Sequence, residues 1–339
     1  MPRRPPPSGS RPPRFRRPRL LALALTTLLL LVPGPSADGQ SGNPFRGRRL
    51  YVDPYSPARV QAQQWARSRP ADADLMRRIG DQPQAIWLGD WMRDVRRETD
   101  ALMSRITAAG ALPVFVAYNI PHRDCGLYSA GGSRSGDAYR RWSRDLAAAI
   151  RRRPAVVILE PDGLAAIDCL PFRMQDERYV LMREAVQALK AAGASVYIDA
   201  GNANWQQPGE MANRLRKAGI ELADGFALNV SNFHATRVNI AYGERLSAMV
   251  GGKHFVIDTS RNGRGAAVER VWCNARNQAL GTPPTAQTGH PLVDAFLWVK
   301  TPGQSDGVCN GGPRAGQWWA EYALELGKMA EALGSALPR

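Results

Sequence analysis

Short apolar runs alternate along this chain with longer segments in which apolar residues recur at helical spacing. The runs are apolar nearly throughout, which is typical of strands buried on both faces of a parallel sheet. Seven runs are predicted to be strands: residues 85–91, 112–118, 155–160, 194–200, 225–230, 254–259 and 294–300. Six segments are predicted to be helices: residues 94–110, 136–150, 179–193, 208–219, 241–252 and 316–333. The alternation predicts an α/β fold in which helices cover a parallel sheet.

Nearly every predicted strand carries a polar or aromatic residue near its C-terminal end. These residues are Trp87, Tyr118, Glu160, Asp199, Asn229, Asp258 and Lys300. An open doubly wound sheet and a (β/α) barrel both accommodate the pattern, but a barrel brings the C-terminal strand ends together on one active-site face. Seven strands are one fewer than a complete barrel contains. We therefore predict a distorted, partly open seven-stranded (β/α) barrel that forms a single domain.

The N-terminal segment accounts for much of the positive charge. The chain has 339 residues and a formal net charge of +15, and seven arginines within residues 1–37 contribute seven of those charges, which leaves +8 for the rest. A basic start, a leucine-rich run at residues 20–32 and small residues at Ser36 and Ala37 form the layout of a secretory signal peptide. We predict a signal peptide at residues 1–37, a polar connector at residues 38–48 and a folded domain at residues 49–339.

Two other interpretations of this composition are weaker. An uncleaved membrane anchor is one alternative, but the apolar run of about 13 residues is short for a membrane span. A nucleic-acid-binding or envelope-binding protein is the other, but the remaining arginines are scattered or form brief runs such as residues 151–153. We therefore expect no nucleic-acid partner and no stable membrane insertion after cleavage of the signal peptide.

The cysteines and histidines bear on redox state and metal binding. An even number of cysteines in an exported chain indicates two disulfides, although free buried thiols are the alternative. The four cysteines are Cys125, Cys169, Cys273 and Cys309. The chain has no CxxC pair and its four histidines are not clustered, so we expect no metal site and no cofactor.

The stretch VVILEPDGLAAIDC, residues 156–169, places two carboxylates at the end of an apolar run. A carboxylate beside an apolar floor has its charged form disfavoured, so its pKa rises and it can donate a proton near neutral pH. Asp162 is the candidate proton donor. In the alternative interpretation, Glu160 and Asp162 only cap the helix that follows.

Six motifs occur in order in this chain and together resemble glycoside hydrolase family 6, a family of endoglucanases and cellobiohydrolases. They are VAYNIPHRDC from Val116, ILEPDGLA from Ile158, YIDAGNANW from Tyr197, ALNVSNF from Ala227, VIDTSRNG from Val256 and LWVKTPGQSDG from Leu297. The resemblance implies a distorted, partly open (β/α) barrel, in agreement with the seven predicted strands. It also implies that residues 49–339 are a catalytic domain.

The resemblance implies roles for four residues in an inverting reaction without metal. Asp162 corresponds to the general acid, and Asp124 to a carboxylate that keeps the acid protonated and assists the water. Asp306 corresponds to the proposed base, and Tyr118 to a tyrosine beside the distorted sugar. Inversion requires the acid and base carboxyl groups to lie about 6.5–9.5 Å apart, with a water between them.

Further positions match sugar-binding residues of the family. Indole planes suit the axial C–H faces of β-linked glucose. The expected substrate-binding residues are Trp87, Asp199, Asn202, Trp205, Asn229, Trp272, Lys300 and Gln304. Most members have glutamate where this chain has Gln304, and histidine is common in place of Asn202. The resemblance also implies disulfides Cys125–Cys169 and Cys273–Cys309.

Together these features predict a secreted, monomeric, inverting endo-β-1,4-glucanase that acts on cellulose-like chains. Endo action is favoured over cellobiohydrolase-type exo action, because about 290 residues leave little for the long loops that roof an exo-acting site. No Pro/Thr/Ser-rich linker or separate binding module is visible, which favours soluble or amorphous glucan. Gln304 and Asn202 motivate one alternative, a catalytically weak carbohydrate-binding relative.

Overall fold

The computed structural model describes Pro2, residues 42–266, residues 271–335 and Leu337. Apart from Pro2, the predicted signal peptide lies outside the described residues, and so does the start of the predicted connector. Within the described part of the chain, no helix is long and apolar enough to cross a membrane.

The described residues form one sheet of seven parallel strands that neighbour one another in sequence order. The strands are β1 (Ile86–Gly89), β2 (Val114–Tyr118), β3 (Val156–Leu159), β4 (Ser195–Asp199), β5 (Gly225–Leu228), β6 (His254–Asp258) and β7 (Val293–Leu297). Each lies on one of the seven apolar runs, so all seven predicted strands are confirmed. Parallel strands need crossover connections, and the predicted helices supply most of them.

Eight α-helices accompany the sheet in the described residues. They are α1 (Pro57–Trp65), α2 (Pro70–Gly80), α3 (Val95–Ala108), α4 (Gly136–Ile150), α5 (Phe172–Ala191), α6 (Pro208–Lys217), α7 (Thr236–Met249) and α8 (Ala320–Ala332). Six of them lie on the predicted helical segments. Helices α1 and α2 were not predicted from the sequence. Helix α1 buries only Ala58 and has no continuous apolar stripe, whereas α2 buries Ala73, Leu75, Met76 and Ile79, an apolar face at helical spacing that is visible in the sequence.

Glycine ends two of the helices where the sequence places the motif AAG. Gly110 follows α3 with φ +63°, and Gly193 follows α5 with φ +84°. Glycine adopts this left-handed conformation without the steric cost that a Cβ brings. The motif therefore marks the helix ends correctly.

Alternate residues of the strands face two different apolar layers. One set packs inside the curled sheet and includes Val116, Ile158 and Tyr197. The other packs against the surrounding helices and includes Phe115, Val157 and Val196. Because both faces are buried, the strands carry apolar residues at nearly every position.

The sheet curls until its first and last strands approach each other, but they do not pair as neighbouring strands in the described residues. The backbone N–H of Ala85 donates to the carbonyl of Trp298 at 3.0 Å. The indole N–H of Trp87 donates to the carbonyl of Val299 at 2.8 Å. These contacts join the edges without a continuous ladder, so the predicted distorted, partly open barrel is confirmed.

The two predicted disulfides, Cys125–Cys169 and Cys273–Cys309, are both present. We expect mass spectrometry of the non-reduced protein to find these two bridges. Each bridge restricts the freedom of the unfolded chain and should contribute about 2–4 kcal/mol to the free energy of unfolding. Denaturant titrations of the double variants Cys125→Ser/Cys169→Ser and Cys273→Ser/Cys309→Ser would measure the two contributions. Four free thiols in the non-reduced protein would contradict the pairing.

Candidate active site

The C-terminal ends of the strands surround a cleft of about 680 Å³. Nine of the predicted site residues line this cleft: Trp87, Tyr118, Asp124, Asp162, Asn202, Trp205, Trp272, Lys300 and Asp306. Three predicted residues do not line it, namely Asp199, Asn229 and Gln304. The convergence of parallel strand ends therefore brings together most of the predicted constellation.

Asp162 lies in the turn after β3 and lines the cleft. Burial raises the pKa of Asp162 to about 7, and the negative charges of Asp124 and Asp306 act in the same direction against the opposing effect of Lys300. A carboxyl group with such a pKa keeps a substantial protonated fraction near neutral pH. Asp162 therefore has the property that a proton donor needs.

Asp199 lies beneath the cleft rather than on its wall. One oxygen of its fully buried carboxyl group accepts the backbone N–H of Asp162 and that of Gly201, each at 3.0 Å. Burial raises the pKa of Asp199 well above its ordinary value, and the charge of Asp162 raises it further. Asp199 thus supports the backbone of the turn that carries Asp162.

Asp124 extends from the loop after β2. Its Oδ2 accepts the backbone N–H of Ser129 at 2.6 Å, and burial raises its pKa. The neighbouring Arg123 guanidinium lies 4.7 Å from the ring centre of Tyr118 and donates to the Tyr118 carbonyl at 2.8 Å. Arg123 also pairs with Asp90 at 2.8 Å. The loop is therefore bound to the end of β2, and its carboxylate faces the same cleft as Asp162.

Asp306 is held by two cations. Arg261 Nη1 lies 2.9 Å from Asp306 Oδ2, and Lys300 Nζ lies 3.2 Å from Oδ1. Burial alone raises the pKa of Asp306, but Arg261 and Lys300 outweigh it and hold the pKa below its ordinary value. Asp306 is therefore ionised under the conditions in which Asp162 is protonated.

Two residues that support Asp306 were not predicted from the sequence. Arg261 is completely buried, and Asn274 donates its backbone N–H to Asp306 Oδ2 at 2.9 Å. Arg261 could have been singled out from its position, because it stands in the motif VIDTSRNG just after β6. Asp258, at the end of β6, accepts the backbone N–H of Lys300 at 3.0 Å and so fixes the start of that loop.

Aromatic side chains line the cleft on several sides. Trp87 and Tyr118 meet edge to face with ring centres 5.1 Å apart. Trp205 and Trp272 are 41% and 47% exposed, far more than indoles of the core. Exposed, fixed indoles beside carboxylates can stack on the faces of sugar rings.

Asn229 and Gln304 do not line the cleft. Asn229 is fully buried, and its Nδ2 donates to the Asp258 carbonyl at 2.9 Å, which joins the ends of β5 and β6. Asn229 Oδ1 also accepts the backbone N–H of His234, a residue that lines the cleft, at 3.2 Å. Asn229 therefore supports the cleft without lining it. The backbone of Gln304 forms an isolated antiparallel bridge with Trp318, and the Lys300 ammonium pairs with Asp306.

Glu160 does not cap the helix that follows it. Its buried carboxylate accepts the backbone N–H groups of Asn119 at 2.9 Å and Ile120 at 3.0 Å. These donors belong to the loop after β2. Glu160 therefore binds the neighbouring loop that leads to Asp124, and burial raises its own pKa to about 7.

A curled parallel barrel whose C-terminal face holds a protonatable carboxyl group, further carboxylates and exposed indoles is typical of glycoside hydrolases. The sequence profile of "Glycosyl hydrolases family 6" matches residues 45–330. The chain belongs to this family.

Several named relatives are similar over most of the chain. Endoglucanase A of Cellulomonas fimi is 45% identical over 284 residues, which are 83% of this chain and 61% of that protein. The chain thus matches about three fifths of that relative's length. Endoglucanase 1 of Streptomyces halstedii is 41% identical over 290 residues, which are 82% of this chain and 88% of that protein.

A solved structure agrees with the fold. The endoglucanase Cel6 from Mycobacterium tuberculosis, in complex with methyl-cellobiosyl-4-deoxy-4-thio-β-D-cellobioside, is 43% identical with a TM-score of 0.82. The match covers 85% of this chain and 99% of that one. The thio-linked ligand of that enzyme is an oligosaccharide.

Proposed function

We propose that this protein is a secreted, inverting endo-β-1,4-glucanase in which Asp162 is the general acid. The observation that carries the proposal is a carboxyl group with a pKa of about 7 in a cleft that is also lined by Asp124 and Asp306. Asp162 donates its proton to the glycosidic oxygen as the bond to the anomeric carbon breaks. Water then attacks that carbon from the opposite face of the ring.

Asp306 and Asp124 have two different roles in the reaction. Asp306 is ionised, as a base must be, but its ion pairs with Arg261 and Lys300 reduce its affinity for a proton. Asp124 has a raised pKa, and its Oδ1 accepts no hydrogen bond from the described residues. These properties favour Asp124 as the group that assists proton removal from the water. The negative charge of Asp306 stabilises the positive charge that develops on the sugar ring in the transition state.

The substrate class rests on shape and on the relatives. Trp87, Trp205 and Trp272 offer aromatic faces along the cleft, as a chain of glucose rings requires. The relatives from Cellulomonas fimi, Streptomyces halstedii and Mycobacterium tuberculosis are named endoglucanases, and the last was solved with a cellobioside-based ligand. We extend that substrate, a cellulose-like β-1,4-glucan, to this chain, with Asn202 and Lys300 as polar contacts to sugar hydroxyls.

Secretion is supported by the two disulfides together with the N-terminal sequence. Disulfides persist in oxidising environments and are rare in the cytosol. Both bridges flank the cleft, since Cys125 follows Asp124 and Cys273 follows Trp272. An exported enzyme would reach a polysaccharide that cannot enter a cell.

The test is a product profile on soluble cello-oligosaccharides, with the anomer of each new reducing end observed by NMR. Endo action with inversion gives several product lengths, and each newly formed reducing end appears first as the α-anomer. Cellobiose as the sole early product would support exo action instead. A first-formed β-anomer would refute inversion, and binding of the oligosaccharides without hydrolysis would support the carbohydrate-binding alternative.

The acid in this mechanism sets the alkaline side of the pH profile. Since Asp162 must be protonated and its pKa is about 7, we expect kcat/KM to fall tenfold per pH unit as the pH rises beyond that value. The measurement is kcat/KM on a soluble glucan from about pH 4 to about pH 9. An alkaline limb near the pKa of an ordinary aspartate would contradict the assignment.

A further inference from the structure

The two loops that carry Asp124 and Asp162 contain strained backbone. In the first loop His122, Asp124 and Cys125 have φ values of 57°, 55° and 50°, and in the second Glu160 and Asp162 have values of 50° and 66°. These values lie in the left-handed region, which costs a residue with a Cβ about 1–3 kcal/mol. Such conformations persist only where surrounding contacts hold them.

Arg178 on α5 contacts both loops. Its guanidinium donates to the carbonyl of Gly163 at 3.2 Å, directly after Asp162. It also donates to the carbonyls of Pro121 at 2.6 Å and His122 at 3.1 Å, just before Asp124. The planar fork of a guanidinium can serve several acceptors in fixed directions at once, which a lysine ammonium cannot do.

Arg178 is a costly residue to bury at this position. It is 3% exposed, and its three hydrogen bonds to the described residues all go to backbone carbonyls. Burial lowers the pKa of Arg178, and the nearby Glu160 opposes this effect. A buried cation that forms no direct carboxylate pair stabilises a fold poorly compared with an apolar side chain. A positioning task explains its presence better than stability does.

We infer that Arg178 is a positioning residue whose guanidinium clamps the turn carrying Asp162 to the loop carrying Asp124, and so fixes the arrangement of these two carboxyl groups. The inference rests on the proposed function, because it assigns a purpose to that arrangement. The Cys125–Cys169 bridge also joins the two segments, but it attaches seven residues beyond Asp162. Arg178 attaches at the residue next to it.

The arrangement matters because the charge of Asp124 raises the pKa of Asp162. The titratable or charged groups that face Asp162 are Asp124, Asp199, Asp306, Lys300 and Tyr118. A loop that moves away from Asp162 removes part of the repulsion from Asp124. The pKa of Asp162 then falls, and its protonated fraction near neutral pH falls with it.

The decisive variant is Arg178→Lys, which keeps the positive charge but not the fork. We expect the pH at which kcat/KM falls on the alkaline side of the profile, its alkaline limb, to move about half a pH unit or more toward lower pH. We also expect kcat to fall about tenfold or more, since small displacements of reacting groups are costly, while KM stays within about twofold. Arg178→Gln, which is neutral and shorter, should shift the limb in the same direction.

Arg214→Lys is the matched control. Arg214 is also buried and donates to the carbonyls of Leu164 at 2.9 Å and Ala165 at 3.2 Å. It also pairs with Asp168 at 2.8 Å and with Glu210 on its own helix at 2.7 Å, but among the described residues it makes no hydrogen bond to the loop of Asp124. This variant should lose stability, as the Arg178 variants do, and keep the wild-type alkaline limb.

The outcomes separate the two proposals. A wild-type protein without activity on β-1,4-glucan refutes the proposed function. An active wild type with an unchanged limb in Arg178→Lys, or an equal shift in Arg214→Lys, overturns the positioning role. If neither Arg178 variant folds while Arg214→Lys does, Arg178 serves stability and the inference is likewise overturned.

Discussion

Asp162→Asn is expected to lower kcat on unactivated β-1,4-glucan by about 10²–10⁴-fold while leaving the affinity for cello-oligosaccharides nearly unchanged. An amide cannot supply the proton that the departing oxygen requires. Its shape and hydrogen-bonding capacity are close to those of the protonated acid, so sugar contacts remain. Initial rates of reducing-sugar release, together with calorimetric titration of an oligosaccharide, measure the two effects separately.

The control for this prediction is Asp168→Asn. Asp168 pairs with Arg214 at 2.8 Å outside the cleft, so its variant should keep activity close to wild type. A second comparison uses an aryl glycoside whose phenolate leaves without protonation, on which Asp162→Asn should lose much less activity. If Asp162→Asn retained more than about a tenth of the wild-type rate on unactivated glucan, the acid would be another group.

The same variant should change how stability depends on pH. The pKa of Asp162 in the folded protein lies above its unfolded value, so the stability associated with this group is complete below the unfolded pKa and is lost as the pH rises through about 7. The amide that replaces this carboxyl group in Asp162→Asn does not ionise. The free energy of unfolding of the variant should therefore rise relative to wild type between about pH 4 and about pH 8.

Arg261→Met is expected to lower the free energy of unfolding by about 3–5 kcal/mol. The guanidinium is fully buried and pairs with the buried Asp306 at 2.9 Å, so its removal leaves a carboxylate with only Lys300 as a nearby cation among the described residues. The pKa of Asp306 should rise, because Arg261 contributes to holding it low. Chemical denaturation at neutral pH measures the loss of stability.

Arg77→Met is the comparison for this effect. Arg77 pairs with Asp74 at 2.6 Å, but both side chains are about half exposed, and such surface pairs contribute about 0–1 kcal/mol. A loss in Arg261→Met no larger than that in Arg77→Met would show that the buried pair does not stabilise this fold.

The secondary structure was largely predictable because it depends on local periodicity. Strands buried on both faces produce apolar runs, and all seven were recognisable without tertiary information. Helix α1 was missed because the fold buries little of it and it has no apolar stripe. Helix α2 was recognisable in principle, because it buries Ala73, Leu75, Met76 and Ile79 and begins at Pro70, a residue common at the first position of a helix.

The site was predictable where residues stand at strand ends. Tyr118 ends β2, Asp162 follows β3 and Lys300 follows β7, and parallel strands bring their C-terminal ends to one face whatever the details of the loops. The disulfide pairing was expected from family resemblance, and the structure confirms it. Family membership, carried by six motifs, was likewise visible in the sequence.

The sequence by itself thus determined the α/β class, the seven strands, the family and the carboxylates of the cleft. Only the tertiary structure decided which polar side chains at the strand ends face the cleft, because this depends on the contacts of each turn: Asp162 and Asn229 are both left-handed, yet Asp162 lines the cleft and Asn229 is buried. It also identified Arg178 and Arg261. Their partners are carbonyls and a carboxylate distant in sequence, and a buried arginine has no local pattern that distinguishes it from an exposed one. Local periodicity records burial, whereas pairing between distant groups is defined only when the chain has folded.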